Sequence, residues 1–171
     1  MCERNISQDT RYHKGLSKPF YGLCSPGYKK FISMPRSCYK LHTIAKSWIN
    51  AQKECAAEGA QLIILNSAKE AKLSTDMFME YRHANAQQCD FNKDYFMVGF
   101  KKSILAKEYR TIDDKTLSEA GYSDWGPGSP SGDKDQCGAL SQHKGTPRGF
   151  FQLNNIPCAT CKLLFVCEQN V

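Results

Sequence analysis

Hydrophobic positions recur with two different periods along this chain, helical in its first half and strand-like in its second. From Tyr28 to Leu41, short apolar and polar stretches around Pro35 predict two strands joined by a proline-bearing turn. Cys24 and Cys38 flank that turn and are placed to staple the hairpin. Ser47 then stands where a helix cap belongs, and Trp48, Ala51, Cys55 and Ala56 fall on one helical face. Gly59 follows, the residue type that closes a helix in the left-handed conformation. Residues 61–65 (Gln-Leu-Ile-Ile-Leu) form a short apolar strand pattern. Ser67-Ala-Lys-Glu70 is a capping box for a second helix, with Ala71, Met77, Phe78 and Tyr81 as part of its buried side and its end near 82–85. Only strand patterns come afterwards, over 95–100, 108–112, 136–140, 149–153 and 163–167.

Residues 113–136 interrupt those strands with a run rich in Asp, Gly, Ser and Pro. A loop this long inside a compact domain usually carries function. Two early helices and late short strands predict an α+β fold. Residues 1–22 are polar without periodicity and read as an N-terminal extension, leaving 23–171 as one domain.

Composition narrows the class. Nine cysteines in 171 residues are many. Only Cys158 and Cys161 stand close together, with no second pair or histidine pair at zinc-finger spacing. Scattered single cysteines point to disulfides, and so to a secreted, extracellular protein. Met1-Cys2-Glu3-Arg4 is polar and charged, so the leader such a protein needs is not expected within this sequence. The Asn5-Ile6-Ser7 glycosylation triplet agrees with secretion. No run of about 18 apolar residues exists, and no membrane-spanning helix is expected.

The formal net charge of +6 suits anionic partners such as lipopolysaccharide phosphates, sulfated glycans or anionic lipid. Its lysines lack the arginine–aromatic interleaving of nucleic-acid binders, so no nucleic-acid partner is expected. Nor is an enzyme. His13, His42, His83 and His143 are scattered, and no nucleophile motif or phosphate loop is present. The Asp113-Asp114 pair stands at a loop start, where turn formation explains it.

Several short patterns now line up. Ser37-Cys38-Tyr39-Lys40-Leu41 is followed by Trp48 with Ala51 and Cys55, then by Glu58-Gly59-Ala60-Gln61-Leu62 and Asn66-Ser67 with Glu70. Val98-Gly99-Phe100, Trp125, Pro130, Cys137, Cys158 and Phe165-Val166-Cys167-Glu168 complete the series. In this order and spacing, residues 24–169 resemble the C-type lectin-like domain. Leu41-His42-Thr43, Gly121-Tyr122 and Cys137-Gly-Ala-Leu140 are similar to the insect hemolymph lipopolysaccharide-binding, or immulectin-like, members. The resemblance implies two helices packed on short antiparallel sheets, a long irregular loop, and the disulfides Cys24–Cys38, Cys55–Cys167 and Cys137–Cys158. Cys2, Cys89 and Cys161 remain. Either one thiol is free or one reaches another chain; a Cys89–Cys161 bridge with Cys2 linking a dimer is the expectation.

The resemblance also places a ligand site in the long loop. Sugar-binding members hold Ca²⁺ there with carboxylate and amide side chains, and sugar hydroxyls complete its shell. Here Ser129, Pro130 and Ser131 stand at the first triplet, Asp135 at the acidic position before Cys137, and Asn154 and Asn155 at the strand positions. Asp135 alone is anionic, Lys134 opposes it, and calcium needs about 6–8 oxygen ligands with several carboxylates for tight binding. No resident cofactor is therefore expected. Ca²⁺ would at most sit weakly through Asp135 and Asn154, with Asp133 nearby. The competing expectation, which is favoured, makes these residues structural, with Pro130 in a cis bend and the asparagines capping a strand end. The function implied is innate-immune or host-interaction recognition of microbial glycans or lipopolysaccharide with weak or no calcium dependence. The alternative is a lectin-fold protein that has lost sugar binding and takes a protein partner.

Overall fold

A computed structural model describes residues 23–81, 89, 94–134, 136–142, 147 and 150–171. The expected extension over 1–22, with Cys2 and His13, lies outside them, as do His83, Asp135 and His143.

Eight strands form one sheet. In chain order they are β1 (Lys29–Phe31), β2 (Met34–Ser47), β3 (Gln61–Leu62), β4 (Tyr95–Lys102), β5 (Tyr109–Thr111), β6 (Cys137–Gln142), β7 (Phe151–Ile156) and β8 (Lys162–Asn170). The main path runs β1-β2-β8-β4-β6-β7, with β3 added to β8 and β5 to β4. Helices α1 (Trp48–Ala57) and α2 (Ala68–Tyr81) follow β2 and β3, and a one-turn α3 (Leu117–Ala120) lies in the long connection after β5. The fold is α+β, as expected. Not every pairing is antiparallel, however: β4 and β8 run parallel, with Phe96 opposite Leu164 and Met97 opposite Phe165.

That central pair explains two uninterrupted apolar runs. Tyr95 and Met97 of β4, with Leu163, Phe165 and Cys167 of β8, enter one core with Trp48, Ala51 and Cys55 of α1. Phe96, Val98, Leu164 and Val166 enter the other, with Ala71 and Phe78 of α2. A strand covered on both faces has no polar side to show, so its pattern is continuous rather than alternating. The rings of Phe78 and Phe96 stack with centroids 5.1 Å apart, and Phe151 of β7 meets Phe78 edge-on at 5.8 Å. Gly99 lets this sheet close tightly. A Cβ there would lie 2.5 Å from the Leu62 carbonyl oxygen. Its N–H donates to Ile63 O at 2.7 Å.

Local expectations meet several corrections. The first hairpin turns at Ile32–Ser33 rather than at the proline. Pro35 is the second residue of β2, inside the irregularity between the Lys30–Cys38 and Phe31–Met34 pairs, where no ladder bond is required of it. Ser47 is at the α1 N-cap position, but its side chain makes no capping bond. The Trp48 N–H instead donates to Cys158 O at 3.2 Å. Ala56 is exposed, and on α2 Met77 is half-buried and Tyr81 exposed, because the sheet covers a narrower stripe than the apolar pattern offers. Helix α3 breaks the stretch read as one loop. Four residues are too few for a helical period, yet Thr116 and Glu119 form a full capping box around it.

Four disulfides staple the fold. They are Cys24–Cys38, Cys55–Cys167, Cys89–Cys161 and Cys137–Cys158. Every cysteine among the described residues is thus paired within the chain. The interchain bridge expected of Cys2 falls outside those residues.

Candidate functional site

The long connection reaches the β6–β7 edge through Trp125. Its backbone bridges to Leu153, and the Gly126 N–H donates to Leu153 O at 2.9 Å. The Trp125 ring stands edge-on to Phe100 at 5.5 Å and to Tyr109 at 5.1 Å. Beyond it the chain turns sharply: Gly128 and Gly132 have positive φ, and the Ser129–Pro130 peptide is cis. This bend carries Ser129 and Ser131 against β7.

Hydrogen bonds between the candidate residues then lock the bend. Ser129 Oγ donates to Asn154 Oδ1 at 3.0 Å. The Ser131 N–H donates to Asn155 Oδ1 at 2.8 Å, and Asn155 Nδ2 donates back to Ser131 O. Asn155 Nδ2 also reaches Tyr109 Oη at 3.1 Å. Asn154 Oδ1 accepts a second bond, from the Asn155 N–H, while its Nδ2 donates to Ser141 Oγ at 3.1 Å and Tyr95 Oη at 3.3 Å. Both asparagines are buried. Five of the six expected positions (Ser129, Pro130, Ser131, Asn154 and Asn155) are thus brought together; Asp135 lies outside the described residues.

The chemistry of this donor set is neutral. Each asparagine oxygen that could face a cation already accepts from a loop donor. Asp133 is fully exposed, and its carboxylate lies 3.6 Å from the Lys102 ammonium. A Ca²⁺ ion would have to displace these bonds and offset its own dehydration with uncharged oxygens. The residues shown therefore fit a hydrogen-bonded loop lock rather than a tight calcium cage. Tyr95, Tyr109 and Ser141, which hold the asparagines from behind, were not singled out in the sequence. They stand on strands distant in the chain, and only folding juxtaposes them.

A second polar cluster also escaped the sequence reading. Glu70 is fully buried, accepting from the Asn66 N–H at 2.8 Å and from Tyr39 Oη. Burial, reinforced by the charge of Glu168, pushes its carboxyl up to about 7. Glu168 is itself raised by burial, and accepts from Ser37 Oγ at 2.8 Å. The capping box is thus half kept. The Glu70 N–H donates to Ser67 Oγ at 3.2 Å, but its carboxylate turns inward to β2. On the opposite face His42 lies flat on Phe165, centroids 4.5 Å apart, with Nδ1 3.2 Å from Glu54 and Nε2 3.3 Å from Glu58. Burial lowers its pKa, against the pull of Glu58. His42, Glu58 and Cys167 have ligand atoms close together, but the Cys167 sulfur is committed to its disulfide. His42 is buried, whereas Glu54 and Glu58 are 28% and 27% exposed and also pair with Lys46 and Lys40.

Residues 44–169 match the family model of the lectin C-type domain. The chain belongs to the C-type lectin family. This C-type lectin is 32% identical over 146 residues to the hemolymph lipopolysaccharide-binding protein of Periplaneta americana, covering 84% of this chain and 52% of that protein. It is 27% identical over 161 residues to human C-type lectin domain family 6 member A, covering 94% of this chain and 68% of that one. The chain spans about half the length of the cockroach relative. Among solved structures, SPL-1 in its GlcNAc complex superposes with a TM-score of 0.66 at 24% identity, over 85% of this chain and 94% of that one. The Ca²⁺-independent C-type lectin SPL-2 of Saxidomus purpuratus gives 0.65 at 22% identity, over 85% and 93%. At those identities the structures speak for the fold alone. The family is one of binding proteins.

Proposed function

We propose that this C-type lectin is a secreted, extracellular recognition protein for microbial surface glycans or lipopolysaccharide, acting in innate immunity or host interaction without a tightly held calcium ion. The observation carrying this reading is the Ser129–Asn154 and Ser131–Asn155 lock. In it, neutral side-chain bonds do the work of positioning the loop, and no cation is required to shape it. The cockroach relative, named for lipopolysaccharide binding, supports the ligand class. The Saxidomus lectin, named for calcium independence, supports a loop of this fold that works without the ion. The net charge of +6 favours phosphorylated and sulfated glycans over neutral ones.

The test is a glycan array that includes lipopolysaccharides, run once with calcium and once with EDTA. Retention of microbial glycans equally in both is expected. Strong binding abolished by EDTA would overturn the calcium part of the reading. If nothing is retained in either condition, sugar recognition falls and a protein partner takes its place.

A further inference from the structure

A groove of about 720 Å³ lies between the start of α1 and the connection from β4 to β5. Buried Trp48 and Cys137 line it together with Cys158 and the exposed Ile49, Ile104 and Leu105. The last two project from the connection at residues 103–108 with 86% and 96% of their surface exposed, and Ile49 is 46% exposed. Adjacent aliphatic side chains left in water cost free energy unless something covers them.

Cations surround this tip. Lys101 and Lys102 precede it, and Lys107 and Arg110 follow it. Arg110 is taken up by Glu108 at 2.5 Å and Asp114 at 3.7 Å, and Lys102 faces the exposed Asp133. Lys101 lies over the Trp48 ring at 6.0 Å, and among the described residues neither it nor Lys107 makes an ion pair. Aliphatic residues at a tip with lysines along its base have the layout of an interfacial anchor. The apolar ends enter the acyl region while the ammonium groups remain among the phosphates. A soluble sulfated glycan would meet the lysines but leave Ile104 and Leu105 in water. A protein partner would disfavour lysines at the centre of its interface.

We propose that this tip docks onto an anionic lipid surface, with Ile104 and Leu105 entering the acyl layer and Lys101 and Lys107 contacting lipid phosphates. The Lys102–Asp133 contact joins the tip to the long loop, so one amphiphile could offer its sugar to the loop and its acyl chains to the tip.

The experiment is cosedimentation of the full chain with phosphatidylglycerol vesicles and with phosphatidylcholine vesicles. Binding to the anionic vesicles alone, weakened by high salt, is expected. Ile104→Ser with Leu105→Ser should weaken it about tenfold or more, and Lys101→Gln with Lys107→Gln by a similar factor. Thermal melting checks that each variant folds, which the exposure of these side chains favours. Equal binding to both lipids, no binding to either, or an unchanged affinity in the Ser variant would each overturn the proposal. The same Ser variant on the glycan array separates it from the loop reading. Loop recognition of soluble glycans should persist there when vesicle binding is lost.

Discussion

Asn155 holds Ser131 from both sides: its Oδ1 accepts the Ser131 N–H at 2.8 Å, and its Nδ2 donates to the Ser131 carbonyl. With the third bond to Tyr109, one buried amide fixes the loop to β7 and β5 together. Asn155→Ala should strand these groups. Each buried group left unpaired costs about 1–3 kcal/mol, so destabilisation of about 3 kcal/mol is expected. Chemical denaturation of the variant measures it. A loss under about 0.5 kcal/mol, the level of an ordinary surface substitution, would show that the lock is not structural.

The same lock makes a calcium prediction. With neutral oxygens already engaged, Tm should stay within about 1 °C between millimolar Ca²⁺ and EDTA, since a ligand stabilises only in proportion to its affinity for the folded state. Differential scanning fluorimetry provides the readout. A rise of several degrees in calcium would show that the acids flanking Lys134 in the sequence complete a site after all.

Burial of Glu70 sets a pH dependence of unusual sign. Its folded pKa, about 7, exceeds the ordinary glutamate value of 4.5 that applies in the unfolded chain. The folded state therefore holds the proton more tightly. Stability from this group is fully present below about pH 4.5 and is lost as pH rises through 7. The full excursion is about 3 kcal/mol. Glu70→Gln can still accept from Asn66 and pair with Tyr39, and should remove that slope. Denaturation midpoints for both proteins between pH 5 and 8 provide the comparison; parallel profiles would refute the assignment.

The Cys55–Cys167 bridge spans 112 residues of sequence and ties α1 to β8. In the chain-entropy model a loop of that size contributes about 4–5 kcal/mol. Replacing both cysteines by alanine should cost more than removing Cys24 and Cys38, which are 14 residues apart. Urea midpoints of the two double variants decide the order.

Gly99→Ala is predicted to be severe for its size. Its methyl group would sit 2.5 Å from a backbone oxygen of β3, and backbone there cannot swing aside as a side chain can. Overpacking of this kind costs about 1–3 kcal/mol. An unchanged midpoint would mean that β3 can move away from β4 freely.

Ordered short patterns carried most of the fold. Trp48, Ala51 and Cys55 marked the buried face of α1, and the runs from Tyr95 and Leu163 marked strands. Those signals are local: side-chain spacing repeats with the backbone period, so one chain segment suffices to show them. Helix α3 lay below the length at which a period is visible, and Pro35 drew the first turn towards itself although a bulge accommodates it. The candidate loop was legible as residue types. Ser129, Ser131, Asn154 and Asn155 are uncharged residue types at positions where calcium binding calls for carboxylates.

What those residues do instead was decided only by tertiary structure. The lock joins positions more than twenty residues apart, and its backing by Tyr95, Tyr109 and Ser141 comes from three further strand positions. Hydrogen bonding depends on distance and direction between atoms, and neither is a function of sequence separation once the chain has folded. The inward turn of Glu70 is of the same kind, as is the isolation of Ile104 and Leu105 beside lysines. The sequence by itself determined the family scaffold and the scarcity of carboxylates at the candidate calcium positions. Tertiary packing decided that neutral bonds close the loop, because only packing sets which buried donors and acceptors meet.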